Sequence, residues 1–210
     1  VTSVISPANM FASEKKSSKL AAKEAKKLEK EGWKTMNLPI QKQLEDTWEM
    51  QSQRDEDGFK TFIVKEVVAV AKSYSAAQSQ AENIAKIRIA GDIGSSVASL
   101  TNIALENKEL SADDASSVSE MAENAKVLVS QELGRVITGE TIYRITSDNN
   151  YEVRVVVLYN MRKAMQLAYD IMMQKMELEF SESAVKAIGG IIELEKLMGA
   201  YKDGDYDETI

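Results

Sequence analysis

A β-hairpin predicted between residues 136 and 159 constrains the fold more than any other part of this 210-residue chain. Two β-branched runs, Val136–Ser147 and Tyr151–Tyr159, flank the polar turn Asp148-Asn149-Asn150. Asn and Asp tolerate the left-handed backbone conformation that a tight hairpin needs. The apolar side chains on one face of the second strand are Val153, Val155 and Val157.

A further strand is predicted upstream, at Phe59–Ala71, where β-branched residues partly alternate with others. On one face this strand places Phe62, Val64, Val68 and Val70. An Ala-rich helix follows, from Ser73 or Ser75 to Glu106, in which Gly91 and Gly94 predict a bend or a break.

Other helices are predicted on both sides of these strands. Ser13–Glu31 is a Lys-rich helix with Leu20 and Leu28 as its large apolar residues, so it is expected to pack lightly or to project. A second helix is expected to be capped by Asn37, with Pro39 in its first turn. The remaining helical patterns are Ser111–Gly134, Met161–Phe180 and Ser183–Met198.

These elements predict an α+β fold, with a small antiparallel β-sheet of three to four strands covered by long helices and extended by N- and C-terminal helices. The expected organisation is a flexible N-terminus or signal remnant at residues 1–12, a helical region at 13–58, an α+β core domain at 59–180, and a C-terminal helix with an acidic tail at 181–210.

Two residue types are missing from the composition, and their absence excludes several kinds of chemistry. The chain contains no Cys and no His. Disulfides, thiolate nucleophiles, Cys-based zinc sites and a His-based catalytic triad are therefore impossible. The net charge of −7 argues against a nucleic-acid partner, because an acidic surface repels phosphate backbones.

The remaining candidates for a site are acidic or basic clusters. The tail Asp203–Glu208 begins like a calcium loop but lacks the glycine at its sixth position, and Asp55–Gly58 is predicted to be a turn. Arg88 lies on the apolar face of the long helix and is expected to reach the edge of the core or to bind an acid. No phosphate-binding glycine loop occurs. We therefore predict no catalytic, cofactor-binding or metal-binding residue.

Four segments of the sequence resemble a known family. They are Lys23–Trp33 (KEAKKLEKEGW), Leu38–Glu45 (LPIQKQLE), Ser73–Ala77 (SYSAA) and Tyr151–Val155 (YEVRV). With these segments the chain resembles, from about residue 20 to residue 180, the secreted bacterial proteins related to the twenty-kilodalton LPP lipoprotein family, most of which are uncharacterised.

The resemblance implies export to the periplasm or the outer membrane, often with an acylated N-terminal Cys, and an α+β domain whose small antiparallel sheet is covered by helices. It supplies no catalytic residues. Since this chain has no Cys, either the protein is soluble in the periplasm or a lipid-anchored residue lies outside this sequence.

Three functional hypotheses follow. The first is a non-enzymatic cell-envelope protein that acts as a structural or interaction module, with an unknown protein partner or a second copy of itself in contact with a helical face or an uncovered sheet edge. The second is a small-molecule binding module with a pocket between the sheet and the Ala-rich helix. The third is a carboxylate-based hydrolase, which requires two buried acids in one cleft.

Overall fold

A computed structural model of the chain describes residues 7–106, 131–179 and 194–201, with isolated positions 116, 127, 129 and 185 between them. The chain has an α+β fold, as predicted, with a three-stranded antiparallel sheet. In chain order the elements are α1 (Pro7–Lys30), α2 (Ile40–Ser52), β1 (Phe62–Ala71), α3 (Tyr74–Glu106), β2 (Ile137–Ile145), β3 (Tyr151–Asn160), α4 (Met161–Glu179) and α5 (Leu194–Ala200).

The predicted hairpin is confirmed as β2 and β3, which pair antiparallel from Ile145 opposite Tyr151 to Ile137 opposite Leu158. Asn149 in its turn has a φ of 58°, the left-handed conformation expected of an Asn at this position. The register shifts between Thr138 and Thr141, where β2 contains an irregularity of the β-bulge type. The strand order is β1-β3-β2, so β1 and β2 are the two edge strands.

The predicted strand near residues 59–71 is confirmed as β1, and one of its faces is more deeply buried than the other. Its buried side chains are Ile63, Val67 and Ala69. On the opposite face, Val68 and Val70 remain 45% and 47% exposed. Val68 and Val70 therefore lie on the surface and not in the core.

The chain divides into two compact units. The first comprises residues 1–53, 66–83 and 137–158, and the second comprises residues 54–65, 84–136 and 159–210. Each unit thus combines segments that are distant in the chain. Of the predicted N-terminal segment 1–12, residues 1–6 lie outside the described residues, and Pro7–Ala12 belong to α1.

The core of the first unit forms where α1 and α2 meet β2. It consists of Ala21, Ala25, Leu28, Trp33, Ile40, Leu44 and Ile142, with Trp48 packed against it. The apolar face of α1 is therefore made largely of alanines, which allow close approach, while Leu20 is 52% exposed. The predicted cap of α2 is wrong, since the helix begins at Ile40 and its N-cap residue is Pro39, without a side-chain hydrogen bond.

A close contact fixes α2 on β2 within the first unit. The backbone N–H of Glu140 donates to Oγ1 of the buried Thr47 over 2.8 Å. A Cβ atom at the neighbouring Gly139 would lie 2.8 Å from the same Oγ1 atom and 3.0 Å from Cδ1 of Leu158. Only glycine therefore fits at position 139, and α2 approaches the strand directly at this point.

The second unit is built on helical packing. Helix α3 runs through Gly91 and Gly94 without a break. Met161, Met165 and Met172 lie on one face of α4 and are all buried, so this face of the helix belongs to the core. The predicted helix 111–134 and the tail 202–210 lie largely or wholly outside the described residues.

Candidate functional site

Among the described residues, two carboxylate side chains are buried. Glu140 of β2 belongs to the first unit and Asp92 of α3 to the second, and each side chain is only about 3% exposed. A buried carboxylate is costly unless a cation and hydrogen bonds compensate its charge. The partners of these two groups therefore decide what each can do.

Glu140 is bonded to Arg154 on the neighbouring strand β3. The Nε atom of Arg154 donates to Oε1 of Glu140 over 2.9 Å, and its Nη2 atom donates to the same oxygen. Burial raises the pKa of the Glu140 carboxyl, while the hydrogen bond and the charge of Arg154 act in the opposite direction. Desolvation is the larger of these effects, so the carboxyl holds its proton more tightly than an exposed Glu does.

Trp33 completes this arrangement on the same face of the hairpin. Its ring lies 4.6 Å from the guanidinium carbon of Arg144 and 5.6 Å from that of Arg154, within the range of cation–π attraction. Arg144 in turn forms an ion pair with Glu152. Glu66 of β1 lies 3.9 Å from Nε of Arg154 and is more than half exposed. Opposite charges recur along both strands of the hairpin, but this pattern alone does not predict the cluster.

Asp92 is compensated by a lysine and a tyrosine of its own unit. Its Oδ2 atom lies 2.8 Å from Nζ of Lys65 and accepts a hydrogen bond from the Tyr201 hydroxyl over 3.4 Å. Burial raises the pKa of Asp92, and the hydrogen bond and charge of Lys65 oppose that rise. Both buried carboxylates are therefore neutralised by neighbours, which is an arrangement that stabilises structure rather than one that presents a free base.

The acidic turn predicted at Asp55–Gly58 has the geometry of a turn. Gly58 has a φ of 84°, and Asp55 Oδ1 accepts the backbone N–H groups of Asp57 and Phe59 over 3.1 and 2.9 Å. Nη2 of Arg162 bridges Asp55 and Asp57 over 2.8 and 2.7 Å. This guanidinium is the first cause of the lowered pKa of Asp55. The carboxylates thus bind a cationic side chain of the protein itself.

The other candidates differ in where they lie. Arg88 is exposed on α3. The described lysine side chains of α1 are also exposed, namely Lys16, Lys19, Lys23, Lys26, Lys27 and Lys30. The acidic tail 203–208 lies outside the described residues. Among the residues that the structure does describe, no cluster of three or more acidic side chains could hold a metal ion.

A shallow cleft of about 180 Å³ lies in the second unit, beside the turn at residues 54–60. It is not the pocket that the sequence predicted between the sheet and the Ala-rich helix. The residues that line it are Arg54, Gly58, Phe59, Lys60, Met161, Met198 and Tyr201.

The two sheet edges differ in how the described residues cover them. On β2, the backbone of Lys34 donates to the carbonyl of Tyr143 over 2.7 Å and accepts its N–H over 2.9 Å. Within the described residues, no comparable bridge reaches the outer side of β1. We call Glu66–Lys72 the β1 edge segment. Its first six residues belong to β1, and Lys72 directly follows the strand. In this segment Val68 and Val70 are exposed between an acidic and a basic residue.

Comparisons of this chain with known protein families, with curated proteins and with solved structures find no match. Within the described part of the chain, no helix is both long enough and apolar enough to cross a membrane.

Proposed function

We propose that this chain is a non-enzymatic interaction module of the bacterial cell envelope, and that the β1 edge segment is its contact surface. The observation that carries the proposal is the exposure of Val68 and Val70, at 45% and 47%, on an edge strand of the sheet. An uncovered apolar edge strand is a template for pairing with another strand, because its outward backbone groups lack partners.

The composition of β1 supports the same interpretation. Proteins usually protect an exposed edge with Pro, a bulge or inward-pointing charges. The ten residues of β1 (FIVKEVVAVA) contain no Pro, and their last five, Val67–Ala71, contain no charge. Lys65, the one cation of the strand, is engaged with Asp92. The end of β1 that carries the exposed valines therefore lacks the usual protection against strand pairing.

The alternatives have weaker support in the described residues. The cleft beside residues 54–60 measures about 180 Å³, below the roughly 300–1,000 Å³ typical of ligand pockets. A carboxylate-based hydrolase requires two acids that are free to act in one cleft, but each of the two buried carboxylates is bonded to a cation of the protein itself. The envelope location rests on the family resemblance alone, so the test of function includes fractionation.

The native particle should be larger than one chain, and its size should depend on β1. We expect the wild-type protein in the native envelope fraction to elute from a sizing column well above the 23.3 kDa of one chain. Val68→Lys/Val70→Lys should shift it to the size of the single chain, since two cations on the edge oppose strand pairing. The cytosolic, periplasmic and membrane fractions are each run on the sizing column, and an antibody detects the protein in the eluate. This measures both the size of the particle and its location.

Ile145→Lys is the matched control, because Ile145 is 50% exposed at the end of the other edge strand, β2. This variant should keep the wild-type elution volume. Elution of the wild-type protein as a single chain in every fraction would refute the interaction module. Recovery in the cytosol alone would refute the envelope location.

A further inference from the structure

Building on the proposed function, we infer that the partner of the β1 edge segment is the β1 edge segment of a second copy, paired antiparallel about Ala69. The observation behind this inference is a self-complementary sequence. From Glu66 to Lys72 the chain reads EVVAVAK, with an acid at one end, a base at the other and apolar residues between them. A two-fold symmetric interface needs one surface that complements itself.

The symmetry fixes the register. Two edge strands that pair antiparallel are related by a two-fold axis perpendicular to the sheet, so residues opposite each other must lie on the same face. Their numbers must then sum to an even value. One such register brings opposite charges together. It places Glu66 of one copy opposite Lys72 of the other, and Ala69 then lies on the two-fold axis.

The same register brings the exposed apolar side chains together. Val68 of one copy lies opposite Val70 of the other, and the axis repeats this pair, so four valines form one continuous patch. Glu66 and Lys72 are both exposed, and the two Glu66–Lys72 pairs close the patch at either end. Cross-strand apolar and opposite-charge pairs of this kind each stabilise a sheet. Shifting the register by two residues toward the N-terminus sets Glu66 opposite Val70 and loses both charge pairs.

The face of β1 that carries Glu66 suits such an interface because the carboxylate of Glu66 is already held in place by a neighbouring cation. Glu66 lies on the side of the sheet that carries Arg154, with its carboxylate 3.9 Å from Nε of that residue. A carboxylate has acceptor positions for a second cation, so Lys72 of the other copy can bind without displacing Arg154. The result is a six-stranded sheet that runs across two copies, with the three strands of each chain on either side of the axis.

Sedimentation of the purified full chain tests the dimer. We expect a reversible monomer–dimer equilibrium at protein concentrations between about 1 µM and about 0.5 mM. Val68→Lys should raise the dissociation constant at least about tenfold, because it places two like charges across the axis. Ile145→Lys should leave that constant unchanged. A strictly monomeric wild type, or a dimer that Val68→Lys does not weaken, would overturn the inference.

Disulfide trapping tests the register. Because this sequence contains no Cys, each single-Cys variant carries one thiol, at the substituted position. Residues opposite each other lie about 4.5–5.5 Å apart between Cα atoms, within disulfide range. The diagonal positions 68 and 68 of the two copies lie about 7–8 Å apart, beyond that range. A mixture of Val68→Cys and Val70→Cys should therefore form the mixed disulfide faster than either protein forms its own. Equal rates, or dimers of Val68→Cys alone, would contradict pairing about Ala69.

The two proposals can fail separately. If the purified chain is monomeric while the native particle still collapses on Val68→Lys/Val70→Lys, the partner is another protein and only the self-pairing is refuted. If the native particle is itself a single chain, the proposed function falls as well.

Discussion

Replacing Arg154 by Met should lower the free energy of unfolding by about 3–5 kcal/mol, the usual effect of leaving one member of a buried ion pair alone. Glu140 is 3% exposed, and Arg154 supplies its counter-charge through two nitrogen atoms. Met keeps most of the side-chain volume of Arg, so the loss reports the charge rather than a cavity. Urea unfolding followed by circular dichroism measures it.

Arg144→Met is the matched control for this substitution. Arg144 also lies over Trp33 and also pairs with a glutamate, but its side chain is 39% exposed. Exposed ion pairs contribute little, so this variant should lose about 1 kcal/mol or less. The double variant Glu140→Gln/Arg154→Met should recover much of the deficit, because it removes the uncompensated charge. Equal losses from Arg144→Met and Arg154→Met would contradict the assignment.

The loss of unfolding free energy caused by Arg154→Met should also depend on pH. The pKa of Glu140 is raised above its ordinary value of 4.5, so the folded state binds this proton more tightly than the unfolded state. The stability from this linkage is fully present below the unfolded pKa and is lost as pH rises through the folded pKa. Removing Arg154 takes away a cause that lowers the pKa of Glu140. The difference between variant and wild type should therefore be smaller at about pH 5 than at about pH 7.5, and an unchanged difference would contradict this origin.

Replacing Lys65 by Met should lower the free energy of unfolding by about 3 kcal/mol, because it leaves the Asp92 carboxylate buried without its cation. Nζ of Lys65 lies 2.8 Å from Oδ2 of Asp92, and the remaining donor, the Tyr201 hydroxyl, is more distant at 3.4 Å. Denaturant unfolding at neutral pH measures the loss.

Lys163→Met on α4 provides the control for this second prediction, since Lys163 belongs to the same unit and is exposed. It should leave stability close to that of the wild type. The double variant Lys65→Met/Asp92→Asn should regain part of the loss, because an amide costs less to bury than an unpaired carboxylate. If Lys65→Met alone is as stable as the wild type, Lys65 does not compensate Asp92.

Features set by local chemistry could be predicted from the sequence. The hairpin follows from the tolerance of Asn149 for the left-handed conformation, which the structure confirms at a φ of 58°. The helical pattern from Met161 to Phe180 predicts α4, which spans Met161–Glu179 and buries Met161, Met165 and Met172. The α+β class follows from these elements and β1.

Features set by contacts between distant segments could not be predicted. Which face of β1 is covered depends on where the helices pack. The sequence of the strand itself therefore does not predict that Val68 and Val70 are exposed. The pairing of Glu140 with Arg154 depends on the register of the hairpin, which shifts between Thr138 and Thr141. A slip of one residue exchanges the two faces of a strand, so the charge cluster cannot be derived from spacing alone.

Site-specific photocrosslinking in intact native cells tests most directly the central claim that the β1 edge is a contact surface. A photoreactive residue at position 68 or 70 should give a crosslinked product, and the same residue at position 145 on β2 should give none. A product with the mass of two chains would identify a second copy as the partner, and a different mass would identify another protein. Absence of a product at positions 68 and 70, or equal yields at position 145, would contradict the account.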